Sequence, residues 1–175
     1  AHQEGWGLTE YEVEPDVSAA AYFYAMAPIC GRSVSVKGVH LDSMQGDIRF
    51  LKVLEQLGCS LTDEESGIRL EGTEGGHYPG ITINMKDFSD QTMTMAVVAA
   101  FADTPTTIEG IGHIRFQESN RLQAIITELR RVGIQAEELQ KGDAVRIYPG
   151  TVQGALIETY EDHRMAMAFS LLGLR

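Results

Sequence analysis

Along this chain apolar positions cluster and alternate in an order that recurs. Residues 19–29 and 92–102 are apolar nearly all round, which predicts helices buried on every side. Residues 48–57 and 122–132 instead carry a stripe at helical spacing, at Leu51, Leu54 and Leu57 in one and at Leu122, Ile125, Ile126 and Leu129 in the other. The first pair is expected at the centre of the fold and the second at its periphery. Between them lie short strand-like runs at residues 9–13, 34–39, 59–63, 68–71, 81–85, 106–111, 134–138, 144–148 and 155–160.

The order has a period of a little over seventy residues. Asp16, Asp90 and Asp162 each stand where a strand-like run gives way to an apolar helix, and the glycine-bearing segments 34–39 and 53–58 are answered by 106–111 and 127–133. Each copy reads strand, helix, strand, helix, strand, strand. Two copies are complete, residues 8–75 and 79–150, and a third, 154–175, stops after its first helix. Copies around a pseudo-threefold axis would bring the buried helices together inside a wall of sheets, with their N-termini pointing the same way. Such aligned ends offer unpaired N–H groups and partial positive charge to an anion. The simpler reading of the three aspartates is that they cap or acidify the first helical turn. For Asp16 that reading is preferred, because no cation accompanies it.

Charge sharpens this. With 14 Lys and Arg against 25 Asp and Glu, the formal net charge is -11, which argues against nonspecific nucleic-acid binding and requires any anion site to be local. No stretch reaches the ~20 apolar residues of a membrane helix, and residues 1–7 lack the organisation of a signal peptide. Cys30 and Cys59 stand apart from any CxxC or His-rich pattern, so neither a disulfide framework nor a metal site is expected. A cytoplasmic protein without membrane or nucleic-acid partners fits.

Two clusters exceed what a cap requires. In Arg115-Phe116-Gln117-Glu118-Ser119-Asn120-Arg121, Glu118 and Arg121 are spaced i and i+3, so on a helix they share a face and can act on one ligand or form an exposed ion pair. In Glu161-Asp162-His163-Arg164, a guanidinium occupies the first turn of an apolar helix, where the dipole disfavours it. Arg164 is therefore expected to serve a ligand, with Asp162 beside it.

Five segments together resemble the 5-enolpyruvylshikimate-3-phosphate synthases: Val13-Glu14-Pro15-Asp16-Val17-Ser18-Ala19-Ala20-Ala21-Tyr22-Phe23, Ser43-Met44-Gln45-Gly46-Asp47, Phe88-Ser89-Asp90-Gln91-Thr92-Met93-Thr94, Gln117-Glu118-Ser119-Asn120-Arg121, and Thr159-Tyr160-Glu161-Asp162-His163-Arg164-Met165-Ala166-Met167. They occur in that family's order and near its spacing, from about residue 11 to 174. The resemblance implies an α/β fold of repeated βαβαββ units, the inside-out α/β barrel of enolpyruvyl transferases, of which this chain holds about two and a third of the three units in one domain.

It also implies a reaction, transfer of the enolpyruvyl group of phosphoenolpyruvate to the 5-hydroxyl of shikimate 3-phosphate with release of phosphate, using neither metal nor organic cofactor. Asp90 matches the family carboxylate at the shikimate hydroxyl, and Glu118 the acid beside the phosphoenolpyruvate carbon. Arg121 and Arg164 match the arginines that grip phosphoenolpyruvate, with Asp162 orienting an arginine or lining the pocket. Gln117 stands where many members have Lys, and His113 where Asn is frequent, two departures that bear on shikimate 3-phosphate binding. His163 is expected to be a structural imidazole. The opposing N-terminal domain and a lysine beyond Arg175 would complete the clamp, so the isolated chain is expected to be inactive. Two other readings are a fragment of the transferase acting on UDP-N-acetylglucosamine and a non-catalytic anion-binding repeat domain.

Overall fold

The computed structural model describes residues 9–175. The expected first position of repeat one, Leu8, and the leader reading of residues 1–7 lie outside the described residues.

Helix α1, Val17–Cys30, begins as expected for a capped helix. The Asp16 carboxylate accepts the Ala19 N–H at 3.0 Å, and Gly31 ends the helix in the left-handed region at φ 60°, donating to Ala27 and Pro28. Gly31 has a second reason to lack a side chain: a Cβ there would stand 2.6 Å from the Gly76 nitrogen. The chain continues through β1 (Ser33–Ser35), α2 (Arg49–Gln56), β2 (Ser60–Glu64) and β3 (Gly67–Glu71). It then repeats the pattern in β4 (Thr82–Asn84), α3 (Thr92–Ala100), β5 (Thr106–Glu109), α4 (Arg121–Arg131), β6 (Gln135–Leu139) and β7 (Ala144–Tyr148), and ends on α5 (His163–Ser170).

The two sheets run in the orders β1-β3-β2 and β4-β5-β7-β6. Set β1 against β5, β3 against β7 and β2 against β6, and the three-stranded part is the same in both. The later hairpin strand sits in the middle, antiparallel to its neighbours. β4 adds in parallel to β5. The middle strands carry the core residues Ile68 and Leu70, or Val145 and Ile147.

All nine residues of α3 are buried. It packs against α1 on one side and α5 on the other, with α4, β5 and β7 closing the rest. The stripes of α2 and α4 face inward as their spacing predicts. α1 is less enclosed than expected, with Phe23 half exposed on its open side.

Two expected strands are absent. Residues 9–13 and 155–160 make no sheet pairing, and Tyr11, Val13 and Leu156 are largely exposed. Their β-prone composition records a preference for a pleated, half-buried surface, which takes effect only where a partner edge is present.

Candidate active site

The first turns of the three central helices meet at one end of the molecule. Gln91, directly ahead of α3, donates to the Ser18 carbonyl at 3.5 Å and to Asp47 at 2.7 Å, which ties the start of α3 to that of α1. Asp90 meets Arg164 in the first turn of α5. Three of the N–H groups expected to be open to an anion there are taken. Val17 donates to Gln45, Ala19 to Asp16, and Arg164 to the Asp162 side chain. Attraction for an anion at this end therefore falls mainly to guanidinium side chains.

Asp90 caps nothing. The chain reaches α3 through a 3-10 turn, Lys86–Gln91, and this carries the Asp90 carboxylate away from the helix axis toward the two arginines. One oxygen lies 3.2 Å from Arg121 Nη1 and the other 2.9 Å from Arg164 Nη2. That second contact offsets the unfavourable position of Arg164 at the positive end of α5.

Arg121 is the hub, with only 2% of its surface exposed. Its Nε and Nη2 grip the two oxygens of Asp162 at 2.7 and 3.2 Å, while Nη1 donates to the Gln117 side-chain amide oxygen at 2.7 Å as well as to Asp90. Asp162, itself 1% exposed, also accepts from the Ser119 hydroxyl and from the Arg164 N–H as the N-cap of α5. Capping and arginine-holding are thus one function of one carboxylate. Burial raises its pKa, but the hydrogen bonds from Arg121 and Ser119 outweigh burial and hold it below the usual carboxylate range. Arg121 shows the converse balance, with desolvation overcome by the anions around it so that its pKa is raised.

Glu118 lies in the turn ahead of α4, whose N-cap is Asn120, rather than on the helix face the i, i+3 spacing predicts. It still comes within 3.6 Å of Arg121, and half its side chain is open to solvent. His163, expected to be structural, is exposed on the first turn of α5, with Nδ1 2.9 Å from Glu118 Oε2. His113 sits behind the pocket, Nε2 2.8 Å from the Ser89 hydroxyl, and does not line it.

Asp90, Gln117, Glu118, Arg121 and Arg164 enclose a shallow pocket of about 290 Å³. A larger hollow, about 560 Å³, lies between residues 100–103, 149–152 and Arg175, but it offers only Asp103 and Arg175 as charged groups. Chemistry, not size, selects the smaller one. Glu118, Asp162 and His163 place three possible metal-ligand atoms within 4.8 Å of one another. Both Asp162 oxygens are already hydrogen-bonded and a guanidinium stands against them, which disfavours a cation there.

Sequence reading missed Ser119 and Glu128. Glu128, on α4, is fully buried and hydrogen-bonded to the segment that leads into α5. The available signal was its spacing: it follows Arg121 by seven residues, two helical turns, and so lies on the same side of α4.

Fold and pocket define a class, an α/β repeat domain that sets two carboxylates and two arginine forks in one anion-sized hollow. The family model for EPSP synthase (3-phosphoshikimate 1-carboxyvinyltransferase) matches residues 2–175, and the chain belongs to that family. It is similar to the 3-phosphoshikimate 1-carboxyvinyltransferase of Nostoc punctiforme, with 47% identity over 165 residues, 94% of this chain and 38% of that protein. The chloroplastic enzyme of Arabidopsis thaliana is 44% identical over 164 residues, 91% of this chain and 31% of that one. The EPSP synthase structure from Acinetobacter baumannii superposes with a TM-score of 0.79 at 28% identity, over 93% of this chain and 40% of that one. This chain thus spans well under half the length of the relatives it matches. Among the described residues no helix is long and apolar enough to cross a membrane.

Proposed function

We propose that this chain forms part of a 3-phosphoshikimate 1-carboxyvinyltransferase, which moves the enolpyruvyl group of phosphoenolpyruvate onto the 5-hydroxyl of shikimate 3-phosphate and releases phosphate. Residues 8–75, 79–150 and 154–175 are then two repeats and a partial third of one domain, working with an opposing N-terminal domain of the same cytoplasmic enzyme. The observation that carries the reading is that Asp90 sits between Arg121 and Arg164, with Glu118 beside the same Arg121.

Each group has a task. Arg164 and Arg121 hold the carboxylate and phosphate of phosphoenolpyruvate, for which a planar fork of N–H donors is suited. Asp90 accepts the proton of the 5-hydroxyl as its oxygen bonds to C2 of phosphoenolpyruvate, and Glu118 delivers a proton to the methylene carbon. The tetrahedral adduct collapses as Glu118 takes a proton back from that carbon and the C–O bond to phosphate breaks, the proton held on Asp90 passing to the departing phosphate. Gln117 serves shikimate 3-phosphate as a neutral hydrogen-bonding group, whereas His113, hydrogen-bonded to Ser89, does not line this pocket. Asp162 acts through Arg121. The acceptor is favoured over a UDP-sugar because both curated relatives described above carry the 3-phosphoshikimate name.

Phosphate release by the full-length enzyme tests this. Asp90→Ala should lower kcat by about 10²–10⁴-fold, and UDP-N-acetylglucosamine should not replace shikimate 3-phosphate. Transfer that survives Asp90→Ala unchanged would instead support a non-catalytic anion-binding domain.

A further inference from the structure

The segment that delivers Asp162 and Arg164 to the pocket is held in an unusual shape. Tyr160 and Glu161, neither of them glycine, both adopt left-handed backbone, at φ 57° and 54°. Such conformations persist in non-glycine residues only where the surroundings enforce them, and they concentrate at functional sites.

Helix α4 supplies the enforcement at two points. Arg121 grips Asp162 on the far side of the turn. Two helical turns along, Glu128 holds the near side. One oxygen accepts the Tyr160 hydroxyl at 2.8 Å and the other the Glu158 N–H at 3.1 Å, while Arg131 neutralises the carboxylate at 2.8 Å. The polarity is reversed between the clamps: a cation of α4 takes an anion of the segment, then an anion of α4 takes donors of the segment. The left-handed pair lies between them.

We propose that Glu128 is a positioning residue, a latch that holds the turn at Tyr160 and Glu161 in its left-handed form and thereby fixes where Asp162 and Arg164 stand in the pocket. The consequence for phosphoenolpyruvate rests on the functional reading above; the latch itself does not. In Glu128→Gln the charge paired with Arg131 is lost and one oxygen becomes an NH₂ group, which faces either the Glu158 N–H, a donor, or the Tyr160 hydroxyl, which must then turn round to accept.

The test uses the full-length enzyme. Glu128→Gln should speed hydrogen exchange at the Glu158 and Asp162 amides by about tenfold or more. It should also raise KM for phosphoenolpyruvate about tenfold while KM for shikimate 3-phosphate moves less than about threefold. Tyr160→Phe, which removes one hydrogen bond and no charge, should shift both readouts the same way by less, and it covers the case in which Glu128→Gln folds poorly. The deciding experiment is rescue. Glycine bears the left-handed conformation without strain, so adding Glu161→Gly to Glu128→Gln should restore most of the KM. Unchanged exchange and KM in Glu128→Gln would overturn the proposal. So would a KM defect that Glu161→Gly fails to relieve, which would assign Glu128 to the stability of α4 alone. If the unsubstituted enzyme performs no enolpyruvyl transfer, the functional reading fails, and the exchange measurements still decide the latch.

Discussion

Arg121 is a charged side chain placed where charge is expensive, and its cost is met by the paired, fully hydrogen-bonded carboxylate of Asp162. Removing one member of such a pair strands the other without compensation. Arg121→Ala should therefore destabilise the chain by about 3–5 kcal/mol, read from urea unfolding. Acid should expose the same pair. The Asp162 carboxyl is held below its unfolded value near 3.9. Its contribution is therefore complete above the ordinary carboxylate range and disappears as pH falls through the lowered value. Asp162→Asn should be less stable at neutral pH, and its deficit relative to the parent should shrink toward pH ~2. A deficit that stays constant across that range would show that the Asp162 charge does not stabilise the fold.

At the scale of elements, local pattern and long-range pairing separate cleanly. The fully buried α3 and the striped α2 and α4 were legible because a helix satisfies its backbone within itself, although the equally apolar α1 leaves Phe23 half exposed. Residues 9–13 and 155–160 were misread as strands because a strand needs a neighbour that its own residues do not specify. Asp16, Asp90 and Asp162 hold the same place in the repeat and are three different things: a cap, a carboxylate swung out by a 3-10 turn, and a cap that also holds an arginine. The convergence of Asp90, Glu118, Arg121 and Arg164 was suggested by motif order, but the burial of Glu128 was signalled only by its two-turn spacing from Arg121, since a Glu on a striped helix ordinarily faces water. The preference for a plain cap at Asp16 leads to a modest expectation. Asp16→Ala should lower stability by about 1 kcal/mol, since only the Ala19 N–H loses its partner, and it should leave the geometry at Asp90 and Arg164 intact. A loss of several kcal/mol by urea unfolding would point to a larger role than capping.

For the molecule as a whole, electrostatics sets what this chain can do alone. Its net charge is -11, and the pocket carboxylates Asp90 and Glu118, together with the buried Asp162 behind them, outnumber the guanidiniums of Arg121 and Arg164 by three to two. Both oxygens of Asp90 are engaged with those arginines, so an incoming phosphate or carboxylate must displace an anion already in place. A site that begins net negative and must receive a more negative ligand needs cations from outside itself, and preorganised charge of that kind is commonly the largest contribution to catalysis. The isolated chain should accordingly bind phosphoenolpyruvate no more tightly than Kd ~1 mM, about −4 kcal/mol, and should release no phosphate from it in the presence of shikimate 3-phosphate. Calorimetry and a phosphate-release assay on the purified chain check both. Micromolar affinity, or turnover near that of the intact enzyme, would mean that Arg121 and Arg164 suffice without an opposing basic surface.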